Sequence, residues 1–165
     1  MDTTSEHPTT LFAEMVDVAD KPITDRHAQA EAIVAASPAL LARLQSGDLP
    51  KGDALRFACL AGVAAVKATP SLLPLCHPLG VHHARVEAEL LPDAVRFVCR
   101  VRAKAATGVE MEALTAATAA ALCLIDMGKG IDRDAHIRRA HVTGKSGGRS
   151  GTYSRDAHAG GPGQP

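Results

Sequence analysis

Aromatic residues are scarce in this chain of 165 residues, which has three Phe, one Tyr and no Trp. The side chains on which the bases of single-stranded nucleic acids stack are therefore largely missing. No charge of one sign is in excess either, because 18 Lys and Arg balance 18 Asp and Glu. Zero net charge argues against a general binder of nucleic acid or of membrane surfaces. An anionic small ligand remains compatible, since a neutral protein can contain local basic clusters.

The four cysteines do not form a C-x-x-C pair, so a zinc ribbon and a thioredoxin-type motif are absent. They are Cys59, Cys76, Cys99 and Cys123. We expect neither a signal peptide nor an apolar run long enough to span a bilayer. These features predict a cytoplasmic protein with reduced thiols.

Hydrophobic residues, many of them alanine, make up 46% of the chain. The length is sufficient for one domain with a core. A core of Ala, Val and Leu buries little apolar surface for each helix or strand, so we expect oligomerisation to bury further surface. We predict disordered tails at 1–13 and 152–165 from their composition, with a single domain at 14–151 between them.

Alternating and helical patterns divide the domain into strands and helices. We predict strands at 15–18, 27–36, 81–91, 94–104 and 135–142. We predict a first helix that starts at the cap Ser37-Pro38, runs to Gln45 and stops at Gly47. A second helix should start at the N-cap Asp53 and end at Thr69-Pro70. A third should cover about 109–129, where Gly128 loosens the end. The segment "GKSGGRSG" that follows the last strand is expected to be flexible. This order predicts an α+β fold with an antiparallel sheet covered on one face.

The stretch "LPLCHP" at 73–78 sets Cys76 and His77 between two prolines. It could be a metal site, a cysteine nucleophile or a rigid wall of a substrate pocket. His77 could act as an acid, a base or a hydrogen-bond donor. An isolated cysteine is more often a small buried residue than a nucleophile. We reject His82 and His83 as a chelating pair, because adjacent strand residues point to opposite faces.

The long helix has acidic residues at both ends, with Glu110 and Glu112 in its first turn and Asp126 near its last. Acids in a first turn also simply complement the helix dipole, and Asp126 with Lys129 could be a local ion pair. Glu112 and Asp126 lie near one stripe of the helix but are about 21 Å apart. One small substrate cannot easily contact both, so either only one end is functional or a neighbouring subunit supplies the second.

Two of the six lysines stand in positions that suit phosphate. Lys51 in "PKGD" precedes a helix N-terminus, although a solvated loop lysine is the simpler alternative. Lys145 lies in "GKSGGRSG", which is not a Walker A loop because no glycine stands five residues before Gly144. A glycine-rich basic segment can still close over an anion.

These stretches together resemble the cyclic pyranopterin monophosphate synthase family of molybdenum cofactor biosynthesis, from about Met15 to Gly151. They occur in the family's order and spacing: "MVDVADK", "PKGDAL", "AGVAAVKAT", "LLPLCHPL", "TGVEMEALTA", "IDMGKGID" and "GKSGGRSG". The resemblance implies a ferredoxin-like α+β fold and a hexamer built as a trimer of dimers, with the active site at a dimer interface. It implies a lyase that converts (8S)-3',8-cyclo-7,8-dihydroguanosine 5'-triphosphate to cyclic pyranopterin monophosphate and releases pyrophosphate.

The resemblance also assigns roles to individual residues. Asp126, Lys129 and Lys51 are the implied catalytic residues, with Asp126 in the acid–base position. The implied substrate-binding residues are Leu75, Cys76, His77, Glu110, Met111, Glu112, Lys145 and Arg26. No cofactor is certain, although Mg²⁺ could accompany the pyrophosphate. The alternatives are a non-catalytic ferredoxin-like ligand-binding module and a metal hydrolase that uses His77, Cys76 and the acids.

Overall fold

A computed structural model describes residues 11–149 and 151–155. The predicted tails therefore lie mostly outside the described residues. The strands are β1 Thr24–Ala35, β2 Val81–Leu91, β3 Ala94–Ala105, β4 His136–Ser146 and β5 Tyr153–Ser154. The helices are α1 Pro38–Ser46, α2 Ala54–Leu72 and α3 Glu110–Gly128.

The five strands form one antiparallel sheet in the order β2-β3-β1-β4-β5. The first four strands, with α2 and α3 as the connecting helices, follow the βαββαβ arrangement of ferredoxin-like folds. This confirms the predicted α+β, ferredoxin-like class. In β1 the inward side chains Ala28, Ala30, Ala32 and Val34 are all buried, as the alternation predicts.

The core lies between one face of the sheet and the helices. Alanines along α3 are buried there, and larger side chains from other elements fill the remaining space. The buried alanines of α3 are Ala113, Ala116, Ala117, Ala120 and Ala121. Phe97 of β3 and Leu40 of α1 are among the largest fully buried side chains. Burial raises the pKa of the Cys99 thiol to about 12, so this cysteine is a structural residue of the core.

The predicted helix signals of α1 and α2 are confirmed. Ser37 Oγ accepts a hydrogen bond from Leu40 N at 3.3 Å, and Gly47 ends α1 with a φ of 70°. Asp53 Oδ1 accepts from Arg56 N at 3.0 Å at the start of α2. Both helices therefore begin where a polar side chain satisfies a free backbone N–H group.

Three predictions about element limits are wrong. Residues 15–18 do not form a strand, because no neighbouring strand pairs with this exposed segment. Helix α2 continues through Pro70 to Leu72, since a proline so near the end removes only one hydrogen bond. Gly128 does not loosen α3, because Lys129 N still donates to Ile125 O at 2.9 Å.

The glycine-rich segment is also more ordered than predicted. Strand β4 runs to Ser146 and includes Lys145. Its end pairs with β5, where Lys145 lies opposite Tyr153, so the segment predicted as a tail begins with paired residues. Strand pairing on both sides of β4 supplies the hydrogen bonds that the local sequence does not reveal.

The outer face of the sheet carries a basic stripe of β3, formed by Arg96, Arg100, Arg102 and Lys104. Ion pairs and hydrogen bonds from this stripe cross the strands. Arg96 contacts Glu31 at 2.8 Å, and Arg100 donates to Gln29 Oε1 at 2.8 Å. Glu31 is only 4% exposed and also pairs with Arg139 at 3.1 Å. The stripe therefore stabilises the sheet through cross-strand pairs.

Two helices, Ala54–Leu72 and Glu110–Gly128, are long and apolar enough to cross a membrane by length and composition alone. The expectation that no such run exists is therefore wrong. This is weak evidence for a membrane span, because the core helix of a folded domain passes the same test. Here α3 packs its alanines against the sheet and has charged residues at both ends.

Candidate active site

The polar residues of interest lie at the two ends of α3. Glu110, Met111 and Glu112 form its first turn, and Asp126 lies in its last. The rise of a helix places Glu112 and Asp126 about 21 Å apart. Within one chain the residues assigned by resemblance therefore form two separate groups.

Three charged residues meet at the C-terminal end of α3. Asp126 Oδ1 accepts from Lys129 Nζ at 2.6 Å, and Asp126 Oδ2 accepts from Lys51 Nζ at 2.9 Å. Lys51 Nζ also donates to the backbone oxygen of Asp126 at 3.0 Å. The Asp126–Lys129 pair follows from i,i+3 spacing, whereas Lys51 arrives from the loop before α2. We call Lys51, Asp126 and Lys129 the lysine cluster.

The electrostatics of the lysine cluster keep its carboxylate ionised. Hydrogen bonds from Lys129, and then from Lys51, lower the pKa of Asp126 to about 2. Asp126 in this state can accept a proton or orient an ammonium group, but it holds no proton to donate near neutral pH. The donors of the cluster are therefore the two ammonium groups.

At the N-terminal end of α3, the "LPLCHP" stretch and the first helical turn enclose a cavity of about 500 Å³, which we call the loop cavity. Its lining residues come from the segment before β1, the loop after α2 and the start of α3. They are Val16, Lys21, Leu75, Cys76, His77, Leu79, Thr107, Gly108, Glu110, Met111 and Glu112.

The "LPLCHP" stretch forms one wall of the loop cavity. Cys76 N donates to Leu73 O at 2.9 Å and closes a turn directly after α2. Burial, with a smaller contribution from Glu112, raises the pKa of the Cys76 thiol. The thiolate is the nucleophilic form of cysteine, so a raised pKa disfavours a nucleophile at this position. Of the three alternatives for this stretch, a pocket wall agrees best with the geometry.

Glu112 is a buried acid in the loop cavity, only 3% exposed. Burial raises its pKa, a hydrogen bond from its own backbone N–H opposes this, and the Glu110 carboxylate adds to the rise. Such a group can exchange a proton nearer neutral pH than an ordinary glutamate. Glu112 and Asp126 are thus carboxyl groups with pKa values shifted in opposite directions.

A second cavity of about 510 Å³ adjoins the loop cavity, and we call it the basic cavity. The two share Lys21, Thr107, Gly108 and Glu110 in their linings. The cationic or titratable nitrogen groups around the basic cavity are Lys21, Arg26, His27, Lys145 and Arg149. Lys145 Nζ lies 2.9 Å from Glu110 Oε1. This arrangement suits an anion that extends from the loop cavity.

The structure brings together all eight residues assigned to substrate binding around these adjoining cavities. It leaves the lysine cluster at the other end of the helix. Sequence reasoning missed Lys21, which lines both cavities and has no ion pair among the described residues. Its position in the motif "MVDVADK" was the available signal.

The described part of the chain contains no group of three or more His, Cys, Asp or Glu side chains arranged to hold a metal ion. A zinc hydrolase built on His77 and Cys76 would require such a group. The basic cavity has one carboxylate in its lining, Glu110, which Lys145 already pairs. A Mg²⁺ ion there would be held mainly by phosphate oxygens.

The fold and these cavities define a ferredoxin-like α+β protein with cationic sites suited to an anionic small molecule. The sequence model of the MoaC family matches residues 15–148, and the chain belongs to that family. It is 48% identical over 148 residues to the cyclic pyranopterin monophosphate synthase of Streptomyces griseus subsp. griseus, covering 90% of this chain and 84% of that one. The synthase of Corynebacterium efficiens is 48% identical over 142 residues, covering 86% and 92%. The synthase of Methylobacterium sp. (strain 4-46) is 48% identical over 148 residues, covering 87% and 91%.

Proposed function

We propose that this protein converts (8S)-3',8-cyclo-7,8-dihydroguanosine 5'-triphosphate to cyclic pyranopterin monophosphate and releases pyrophosphate, an early step of molybdenum cofactor biosynthesis. The protein is then a phosphorus–oxygen lyase. The observation that carries the proposal is the lysine cluster, in which Lys51 reaches Asp126 across 75 positions of sequence. The names of relatives that are 48% identical support the same reaction.

The loop cavity would hold the purine-derived ring system. The five-membered ring must open and reclose as a pterin, which requires proton transfers. His77 and Glu112 are titratable groups in that cavity, and the raised pKa of Glu112 suits proton exchange. Leu75, Cys76 and Met111 would supply the apolar wall against the ring.

The basic cavity would hold the phosphates. A ribose-derived hydroxyl attacks the α-phosphorus, and the bond to the departing pyrophosphate breaks. This step concentrates negative charge, so positioned cations lower its barrier. Lys145 and Lys21 lie in the lining of this cavity together with Glu110. Glu110 would hold Lys145 in place until the phosphates bind.

The lysine cluster would act as the catalytic group. Asp126 keeps both ammonium groups charged and oriented, with N–O distances of 2.6 and 2.9 Å. Lys51 and Lys129 would then donate protons or stabilise charge at the reacting centre. Because the cluster lies about 21 Å from Glu112 along one helix, the substrate would have to meet a cluster from a second subunit.

We propose that the protein is a homohexamer, a trimer of dimers, with the active site at a dimer interface. Large apolar side chains remain exposed on the helical layer: Phe57 at 52%, Leu60 at 58% and Leu122 at 58%. They lie on α2 and α3, in the part of those helices nearer the lysine cluster. A two-fold axis across α3 would bury this surface and set the lysine cluster of one subunit beside the loop cavity of the other.

Residues 14–151 would form the single catalytic domain, and the cytoplasm would be its location. All four cysteines are free, which agrees with a reducing compartment.

The direct test supplies the cyclised GTP intermediate to the purified protein and measures pyrophosphate and, after oxidation, a fluorescent pterin. We expect both products from the unaltered protein, and a loss of at least about 100-fold in Lys51→Ala and Asp126→Asn. Lys104→Ala, an exposed lysine on the outer face of the sheet, is the matched control.

Assays with and without chelator test for Mg²⁺. Binding of the intermediate without turnover would instead support the non-catalytic ligand-binding module.

A further inference from the structure

Arg26 uses its guanidinium to hold backbone. Nε donates to Ala105 O at 3.3 Å, Nη2 to Ala106 O at 3.1 Å, and Nη1 to Gly147 O at 3.4 Å. These carbonyls belong to the end of β3, to the residue after it, and to the segment that follows β4. Among the described residues, Arg26 has no carboxylate partner within ion-pair distance. Its donors are therefore directed at chain segments that meet beside the basic cavity.

The two residues that face Arg26 must be glycine. Gly147 has a φ of 98°, and a Cβ there would lie 2.0 Å from Asp25 O. Gly148 has a φ of 72°, and its Cβ would lie 1.6 Å from Arg26 Nη1. The positive φ disfavours a side chain at both positions, and at Gly147 backbone also occupies the space. Gly147 and Gly148 therefore pack directly on Arg26 and on the start of β1.

Lys145 and Arg149 flank this contact, and both line the basic cavity. We propose that Arg26 is a positioning residue, which holds residues 147–149 against β1 and the end of β3 and so fixes Lys145 and Arg149 around the phosphates. The inference rests on the proposed function and gives Arg26 a positioning role instead of the direct substrate contact that the resemblance implies. A planar guanidinium can reach three carbonyls in different directions, whereas a lysine ammonium on a flexible stem is a point charge.

Lysine substitution gives a first comparison. Lys can replace an arginine that acts on phosphate only as a point charge, but it cannot replace one whose planar guanidinium spans three carbonyls. An arginine that bound phosphate through two hydrogen bonds would also be sensitive to Lys, and hydrogen exchange distinguishes that case. We expect Arg26→Lys and Arg26→Ala to weaken pyrophosphate binding equally, by about tenfold. Losses of this size are typical when a residue that holds the binding residues in place is removed. The dissociation constant is measured by calorimetry with inorganic pyrophosphate on protein whose circular dichroism is unchanged. Retention of affinity within about threefold in Arg26→Lys alone would overturn the positioning role.

A second variant disrupts the same contact from the side of the glycine segment. Gly148→Ala should displace residues 147–149 and reproduce the tenfold loss, while Gly80→Ala, which has open space around it, should leave pyrophosphate binding unchanged. Hydrogen exchange of the peptide that covers residues 143–149 gives a readout independent of any ligand. We expect faster exchange there in Arg26→Ala, Arg26→Lys and Gly148→Ala.

Unchanged exchange in these variants would contradict the proposal even if the protein bound pyrophosphate. Conversely, if the unaltered protein formed no product, the proposed reaction would fail while the exchange data still decided whether Arg26 positions the segment.

Discussion

Two carboxyl groups at opposite ends of α3 experience opposite environments. Asp126 is exposed and receives hydrogen bonds from Lys129 and Lys51, which lower its pKa to about 2. Glu112 is buried, and burial raises its pKa. The surroundings of Asp126 favour its ionised form, whereas burial shifts the equilibrium of Glu112 toward the protonated form relative to an ordinary glutamate. Pairs of titratable groups with separated pKa values are the usual basis for distinct acid and base roles.

The ionisation of Asp126 should depend on both lysines. By NMR of the side-chain carboxyl carbon, we expect no protonation of Asp126 down to about pH 3.5, given a pKa of about 2. Lys129→Ala should move the titration toward the ordinary 3.8 more than Lys51→Ala does, because the Lys129 hydrogen bond is the largest cause of the shift. The contribution of Asp126 to stability is present above its unfolded pKa and is lost as pH falls through about 2. If the pKa of Asp126 in both variants stayed at its value in the unaltered protein, the geometry of the lysine cluster would be contradicted.

The burial of Glu112 should make stability pH-dependent in the opposite sense. The folded-state pKa of Glu112 lies above the unfolded value of 4.5. The contribution of Glu112 to the free energy of unfolding is therefore fully present below pH 4.5 and is lost as pH rises through the folded pKa. We therefore expect Glu112→Gln to melt at a higher temperature than the unaltered protein at pH 7. The difference should disappear at pH 4. Thermal melts at both pH values, with exposed Glu89→Gln as control, test this, and a destabilised Gln variant at pH 7 would refute it.

At the scale of elements, glycine sets how closely the two long helices approach. A Cβ at Gly62 of α2 would lie 2.9 Å from the backbone oxygen of Ala116 in α3 and 3.0 Å from Val86 of β2. A Cβ at Gly128 would instead meet the methyl groups of Leu40 at 3.0 Å. A leucine side chain can move aside, whereas backbone cannot. Gly128 should therefore tolerate a larger residue better than Gly62 does.

Alanine at these two positions should therefore have different effects. Alanine favours a helix by about 1 kcal/mol over glycine, but overpacking against backbone costs about 1–3 kcal/mol. We expect Gly62→Ala to lower the free energy of unfolding and Gly128→Ala to change it by less than about 1 kcal/mol, since the two terms nearly offset there. Urea denaturation at one fixed protein concentration measures both. A stabilised Gly62→Ala variant would show that the helices can separate freely.

The fold could be predicted from sequence wherever a local signal agreed with the tertiary context. The alternating alanines of β1 and the cap at Ser37 are such cases. The wrong strand predictions have one physical origin, because the pairing of a strand depends on partner strands that are distant in sequence. The alternation at 15–18 finds no strand beside it, while β1 and Tyr153 order the glycine-rich residues 144–146. Periodicity cannot report either fact.

The residues of the candidate site also fall into those that the sequence could predict and those that it could not. The pair Asp126–Lys129 follows from helical spacing, and the motif resemblance gathered the residues of the loop cavity. The arrival of Lys51 at Asp126 and the use of Arg26 on backbone carbonyls depend on tertiary packing. Lys21 was missed because a lone lysine in an irregular segment carries no periodic signal.

At the scale of the whole molecule, the length of α3 decides how a site can be assembled. Its two polar ends are about 21 Å apart from Glu112 to Asp126, too far for one small substrate. A two-fold axis across the helix reverses the direction of the second copy. In the proposed dimer each lysine cluster would then face the partner's loop cavity, which would create two identical composite sites.

Mixed dimers test this arrangement. Asp126→Asn disables the lysine cluster and His77→Ala the loop cavity, so each variant alone should be inactive. In a dimer with one copy of each, one composite site contains both substitutions and the other contains neither. Random assembly makes half of the dimers mixed, so co-refolded variants should recover about a quarter of the unaltered activity. Lys51→Ala mixed with Asp126→Asn, both at the same end of α3, should recover none, because every composite site then lacks one member of its cluster. No recovery in the first mixture despite proven mixed dimers would mean that each chain works with its own residues alone. Equal, non-zero recovery in the two mixtures would also contradict the composite site.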